Sequence, residues 1–85
     1  MKKLTKGYIE SLVVSTEYFY TNKVTICVLI PKNGFEIVGK AGAINPKDFD
    51  KKIGELLSYE DAIKQLWAYE GYLATENYYN EGINK

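Results

Sequence analysis

Four residues between positions 35 and 49 combine side-chain types that can hold a flat, charged small molecule: Phe35, Lys40, Asn45 and Phe49. The rings offer stacking faces, the amide a donor and an acceptor, and the lysine a positive charge. Asn45-Pro46 also opens a helical stretch, and the backbone N–H groups of a helix start attract anions. Nothing in the set breaks bonds. The chain has no histidine, the commonest general base and metal ligand, and a single cysteine, Cys27. A triad hydrolase is thereby excluded, a zinc site would rest on carboxylates alone, and Glu70 lacks a second placed carboxylate for acid–base work. The expectation is a binder that is no enzyme and needs no cofactor. Each residue also has a plainer job: Phe35 and Phe49 in a core, Asn45 as a cap, Lys40 as a solvated charge.

The elements that position these residues follow from hydrophobic spacing. From Asn45 to about Leu73, Phe49, Ile53, Leu56, Leu57, Ile63, Leu66, Trp67 and Leu73 recur every three or four residues, with charged residues between them. Asn45 is an N-cap with Pro46 at the first helical position, and Asp48 and Asp50 complement the helix dipole. Ser58, with Asp61 three residues on, resembles a second cap, so the stretch reads as one helix or as two meeting near Leu57. Gly54 and Gly71 lie inside it, each costing about 1 kcal/mol relative to alanine. Gly54 admits either a close sheet side chain or an external partner.

Upstream, Thr5 caps a short helix from Lys6 to about Val13. A strand from about Val14 to Tyr20 places Val14, Thr16, Tyr18 and Tyr20 on one face and Ser15, Glu17 and Phe19 on the other. Val24 to Ile30 is nearly all apolar and β-branched, which predicts a central strand buried on both faces. Pro31-Lys32-Asn33-Gly34 is a tight turn, and Phe35 to about Lys40 the return strand. The tail from Thr75 is polar and is expected to fray. The predicted fold is α+β in two layers: a short N-terminal helix, a three-stranded antiparallel meander, and a long C-terminal helical segment packed on one sheet face.

Eighty-five residues make one domain with a small core, and self-association would add buried surface. The formal net charge is zero, which argues against general nucleic-acid binding. No run is long and apolar enough to span a membrane, and the single cysteine suits a reducing compartment, so a soluble intracellular protein is expected. All eleven cations are lysines. They are unevenly placed: residues 1–40 carry six Lys against three Glu, and residues 41–85 five Lys against eight acids. That split is either a chance of surface composition, or a sheet half that tolerates an anion, or the basis for pairing complementary surfaces of two copies.

Asn33-Gly34-Phe35, then Asn45-Pro46, Phe49-Asp50-x-x-Ile53-Gly54 and Ala62-Ile63-x-x-x-Trp67-x-x-Glu70-Gly71-Tyr72-Leu73 resemble the pattern of a small bacteriophage and prophage protein family. Its founding members are early gene products of a coliphage and a Shigella phage. The resemblance covers about Val24 to Leu73. It implies a phage-encoded, non-enzymatic, oligomeric protein in the cytoplasm of the bacterial host. The order of sheet then helix is also similar to the first Thoeris anti-defence family, proteins that sequester the cyclic ADP-ribose isomer made by bacterial immune enzymes. Such a ligand would take Phe35, Phe49 or Trp67 as an aromatic face, Asn45 as an amide, and Lys40 or Lys64 as the cation. Arginine, the usual planar phosphate clamp, is absent, and lysine supplies only a point charge.

Two functions from different classes follow. One is a sponge for a cyclic nucleotide immune signal, which requires a preformed pocket. The other is an inhibitor of a host defence protein, anti-CRISPR-like, which requires an exposed patch of Tyr18, Tyr20, Tyr78 and Tyr79.

Overall fold

The computed structural model describes residues 3–83. Its elements are α1 (Lys6–Ser11), β1 (Val13–Tyr20), β2 (Val24–Pro31), β3 (Ile37–Gly42), a 3-10 turn (Pro46–Asp48) and α2 (Lys51–Ile83). The strands form an antiparallel sheet in the order β1-β2-β3, with α2 packed across one face. This is the α+β meander-and-helix architecture that the hydrophobic spacing predicts.

Strand alternation decides what each face carries. Thr25, Cys27, Leu29 and Pro31 of β2 are buried, whereas Val24, Ile26, Val28 and Ile30 between them are only half-buried. Paired residues share a face, so Thr16, Tyr18 and Tyr20 on β1 join the helix side through Leu29, Cys27 and Thr25. Ile37, Gly39 and Ala41 join it from β3. Against them α2 sets Ser58, Ala62 and Leu66, and α1 closes the end with Ile9. The expectation that β2 is buried on both faces is corrected: α2 covers one face, and among the described residues no element covers the second.

The contact between α2 and β3 is unusually close. A Cβ on Gly39 would stand 2.2 Å from the Ser58 carbonyl oxygen and 2.5 Å from the Ala62 nitrogen. Small residues on both sides let the two backbones touch, so the helix also caps the edge of the sheet. Asp61 Oδ2 accepts from the Lys40 backbone N–H (2.9 Å), and Gln65 Nε2 donates to the Val38 carbonyl (2.8 Å). These side chains occupy groups that an edge strand otherwise offers to a further strand.

Several boundaries differ from expectation. Asn45 caps the 3-10 turn, accepting from the Lys47 N–H, while Asp50 caps α2 through Lys52 N (2.9 Å) and Ile53 N (3.1 Å). Ser58 interrupts nothing: its hydroxyl donates to the Glu55 carbonyl, and α2 runs unbroken for 33 residues, about 50 Å. The segment from Thr75 stays helical to Ile83. Phe35 precedes β3, which begins at Ile37, and α1 ends at Ser11. Gly54 lies against the sheet, where an added Cβ would meet Thr25 Oγ1 at 2.3 Å. A sheet side chain, not an external partner, accounts for that glycine.

Candidate ligand-binding groove

The turn after β2 is built by its own residues. Gly34 has φ +82°, a conformation that favours glycine, and its N–H bonds to the Pro31 carbonyl at 3.0 Å. Asn33 Oδ1 accepts from the Phe35 N–H at 3.0 Å, an Asx-type brace. The Lys32 N–H reaches the Leu12 carbonyl (2.9 Å), tying the turn to the end of α1. So held, Phe35 projects toward α2 and meets Tyr69 edge to face, with centroids 5.4 Å apart and planes at 81°.

A groove of about 240 Å³ opens here between α1, the turn and α2. Phe35, Tyr69, Leu66 and Leu73 give it an apolar floor, while Lys32, Asn33 and Glu70 supply polar groups at its margin. Tyr8 donates its hydroxyl to Glu70 Oε1 at 3.4 Å, which steadies the carboxylate against α1. A second depression of about 250 Å³ adjoins it along α2, sharing Tyr8, Glu70 and Leu73 and adding Asn77, Tyr78 and Glu81. Phe35 is 55% exposed and Tyr69 49%. The aromatic pair therefore keeps surface available for a planar ligand.

The four residues singled out from the sequence do not meet in one place. Phe35 lies in this groove. Phe49 lines a different depression of about 330 Å³, between the exit from β3 and the start of α2. Lys40 pairs with Ile26 on β2 and so points from the open face of the sheet, away from α2. Asn45 is exposed and spends its side-chain oxygen on the 3-10 turn. The anion site expected at the helix start is also filled, because the Asp50 carboxylate takes the first free amides of α2, with Asp48 close by on the rim. Lys23, the cation of that depression, directs its ammonium to the Ile44 carbonyl at 3.2 Å. Two carboxylates beside one engaged lysine disfavour a phosphate there.

Tyr8, Lys32, Tyr69 and Leu73 were not legible as site residues in the sequence. A signal for them existed. The groove is where Asn33-Gly34-Phe35 and Trp67-x-x-Glu70-Gly71-Tyr72-Leu73, two segments more than thirty positions apart, come together. Trp67 itself packs half-buried against the core and offers no free face to the groove. The four-tyrosine patch does not assemble either: Tyr18 is half-buried on the helix side of the sheet, and Tyr78 and Tyr79 lie in the last turns of α2. An exposed aromatic pair flanked by a lysine and a carboxylate gives this groove the groups to hold a planar, polar ligand.

Among known proteins, residues 4–78 match a phage protein family described as N4 Gp49/phage Sf6 gene 66. No curated protein and no solved structure matches the chain. The match spans most of the chain and includes both segments that form the groove, and so the chain belongs to the N4 Gp49/phage Sf6 gene 66 family of phage proteins.

Proposed function

We propose that this phage protein is a non-enzymatic sponge that sequesters an adenine-containing cyclic nucleotide, of the cyclic ADP-ribose isomer type, and so silences a host immune signal. The observation that carries the reading is the exposed Phe35–Tyr69 pair standing between a lysine and a carboxylate. Adenine stacks on the aromatic pair, ribose hydroxyls donate to Glu70, and Lys32 meets a phosphate as a point charge. The Asn33 amide nitrogen, its oxygen being committed to the turn, is left to bond a base edge. At about 240 Å³ the groove takes one nucleoside portion of such a ligand.

The test is calorimetry of the purified protein with cyclic ADP-ribose isomers. Phe35→Ala removes a largely exposed ring outside the strands, so the fold should persist while affinity falls by about tenfold or more, the loss of one base-stacking contact. Binding that is indifferent to Phe35→Ala and Tyr69→Ala would refute this placement.

A second reading has its own observation. Tyr72, Tyr78 and Tyr79 are 60–73% exposed on the part of α2 that extends past the core. Exposed tyrosines on a rigid helix suit a protein-binding inhibitor of a host defence component. If the wild type binds no nucleotide, this reading replaces the first.

A further inference from the structure

Among the described residues, Thr25 Oγ1 is buried without a hydrogen-bond partner. Buried hydroxyls in folded proteins are nearly always bonded. This one stands between strand and helix, in the space that Gly54 leaves by having no Cβ. Thr25 also lines the floor of the depression of about 330 Å³ between the exit from β3 and the start of α2. Half-buried Phe49 forms part of the wall, and Ile44, Ile53 and Leu57 stay exposed around it. The rim is acidic, with Asp48 and Asp50 set against Lys23, whose ammonium bonds the Ile44 carbonyl. Asp50 spends Oδ1 on the Lys52 and Ile53 amides, which leaves its Oδ2 and the Asp48 carboxylate to take a cation. We infer that this depression is a second binding site, for a small organic ammonium ion with an apolar body and a hydroxyl at its far end.

Rim, wall and floor each select a part of that ligand. At the rim two carboxylates outnumber one engaged lysine, so an ammonium gains charge-assisted hydrogen bonds there and an anion is repelled. Along the wall a ring or short chain leaves water against Phe49, Ile53 and Leu57. On the floor Thr25 is already out of water, so a bond from a ligand hydroxyl to Oγ1 costs the protein no further desolvation. Size decides between a small molecule and a protein. The volume is at the low end of the range for small-ligand pockets. A stable protein partner would instead need about 800 Å² of surface on each side. The depression shares no lining residue with the Phe35 groove, so the inference goes beyond the nucleotide reading and stands or falls separately.

Amide NMR titration tests it with three probes: tyramine, phenethylamine, which lacks the hydroxyl, and para-hydroxyphenylpropionate, which carries a carboxylate in place of the ammonium. Tyramine should give saturable shifts centred on residues 41–57 and Thr25. Phenethylamine should bind the same residues about fivefold more weakly, and the carboxylate not at all. Thr25→Val keeps the side chain's shape and removes an unpartnered hydroxyl, so the fold should persist while the two amines come to bind alike. Asp48→Asn, on the exposed rim, should weaken both amines about threefold. Phe35→Ala should change none of these affinities. Absence of saturable tyramine binding would overturn the inference, and so would equal binding of the carboxylate. A folded Thr25→Val that still prefers tyramine, or amine binding indifferent to Asp48→Asn, would overturn it as well. Should Thr25→Val fail to fold, the wild-type probe series and Asp48→Asn decide the matter by themselves.

Discussion

Two side chains on the helix side of the sheet show how local partners set chemical behaviour. Tyr20 donates its hydroxyl to the Glu55 carboxylate, and the Lys51 ammonium sits 4.6 Å from its ring centre. That hydrogen bond favours the neutral phenol and pushes its pKa up to about 12, with desolvation and the Glu55 charge adding to it. An unfolded tyrosine titrates near pH 10, so the contribution to stability is full below about pH 10 and is lost as pH rises through about 12. The stability gap between wild type and Tyr20→Phe, read by urea unfolding, should therefore shrink on going from about pH 9 to about pH 11.5. A gap of constant size would show that the hydroxyl bond makes no contribution to folding. Cys27 is fully buried on the same side, where burial pushes its thiol up and a hydrogen bond with Tyr18 only partly opposes this. A thiol so placed is a small core hydrophobe. A thiol-reactive dye should label it only at the rate of unfolding, and rapid labelling of the native protein would contradict the placement.

At the scale of the elements, two glycines of opposite character make the packing testable. Gly39 sits where β3 and α2 touch through their backbones, so Gly39→Ala must drive the helix off the sheet and should cost about 3 kcal/mol or more. Gly71 has nothing within 4 Å of an added Cβ and lies inside a continuous helix, so Gly71→Ala should stabilise by about 0.5–1 kcal/mol. Chemical denaturation of the two variants should move in opposite directions, and a destabilised Gly71→Ala would mean that the helix is not regular there. The same elements show what the sequence could reveal. Alternation along β1 was legible because its side chains differ between the two faces, whereas β2 is apolar at nearly every position and its one-sided burial was hidden. The start of α2 was not, since Asn45-Pro46 and Asp50 are both good caps and only tertiary placement decides that the first opens a 3-10 turn. Ser58 resembles a cap, yet it is buried as the small residue that lets β3 approach. The site was half legible for a related reason. Phe35 could be picked out by type, but its partner Tyr69 becomes adjacent only when α2 crosses the sheet, which no local spacing encodes.

The whole molecule is a compact two-layer body with a long projecting arm, its extents being 59 × 22 × 19 Å. Among the described residues, the buried core positions of α2 lie at or before Leu66, whereas the helix continues to Ile83. Burial of α2 on the sheet, and not intrinsic propensity alone, secures its first half. The second half runs along the groove, with Leu73 on its floor and Tyr78 in the adjoining depression, and then past it. This division separates the two functional readings by a single truncation. A chain ending at Thr75 keeps the whole core, Phe35, Tyr69, Glu70 and Leu73, and loses Tyr78 and Tyr79. It should unfold cooperatively with stability within about 1 kcal/mol of the full chain, since residues 76–82, which it removes, are exposed. If the protein sequesters a nucleotide, the truncated chain should still bind it at close to full affinity and still silence signalling in infected cells. If it acts by seizing a host protein with the tyrosines of the projecting arm, the truncated chain should fold and yet lose that activity. A truncated chain that fails to fold would show that the projecting turns support the groove wall, and Tyr78→Ala with Tyr79→Ala in the full-length chain would then separate the two readings by the same measurements.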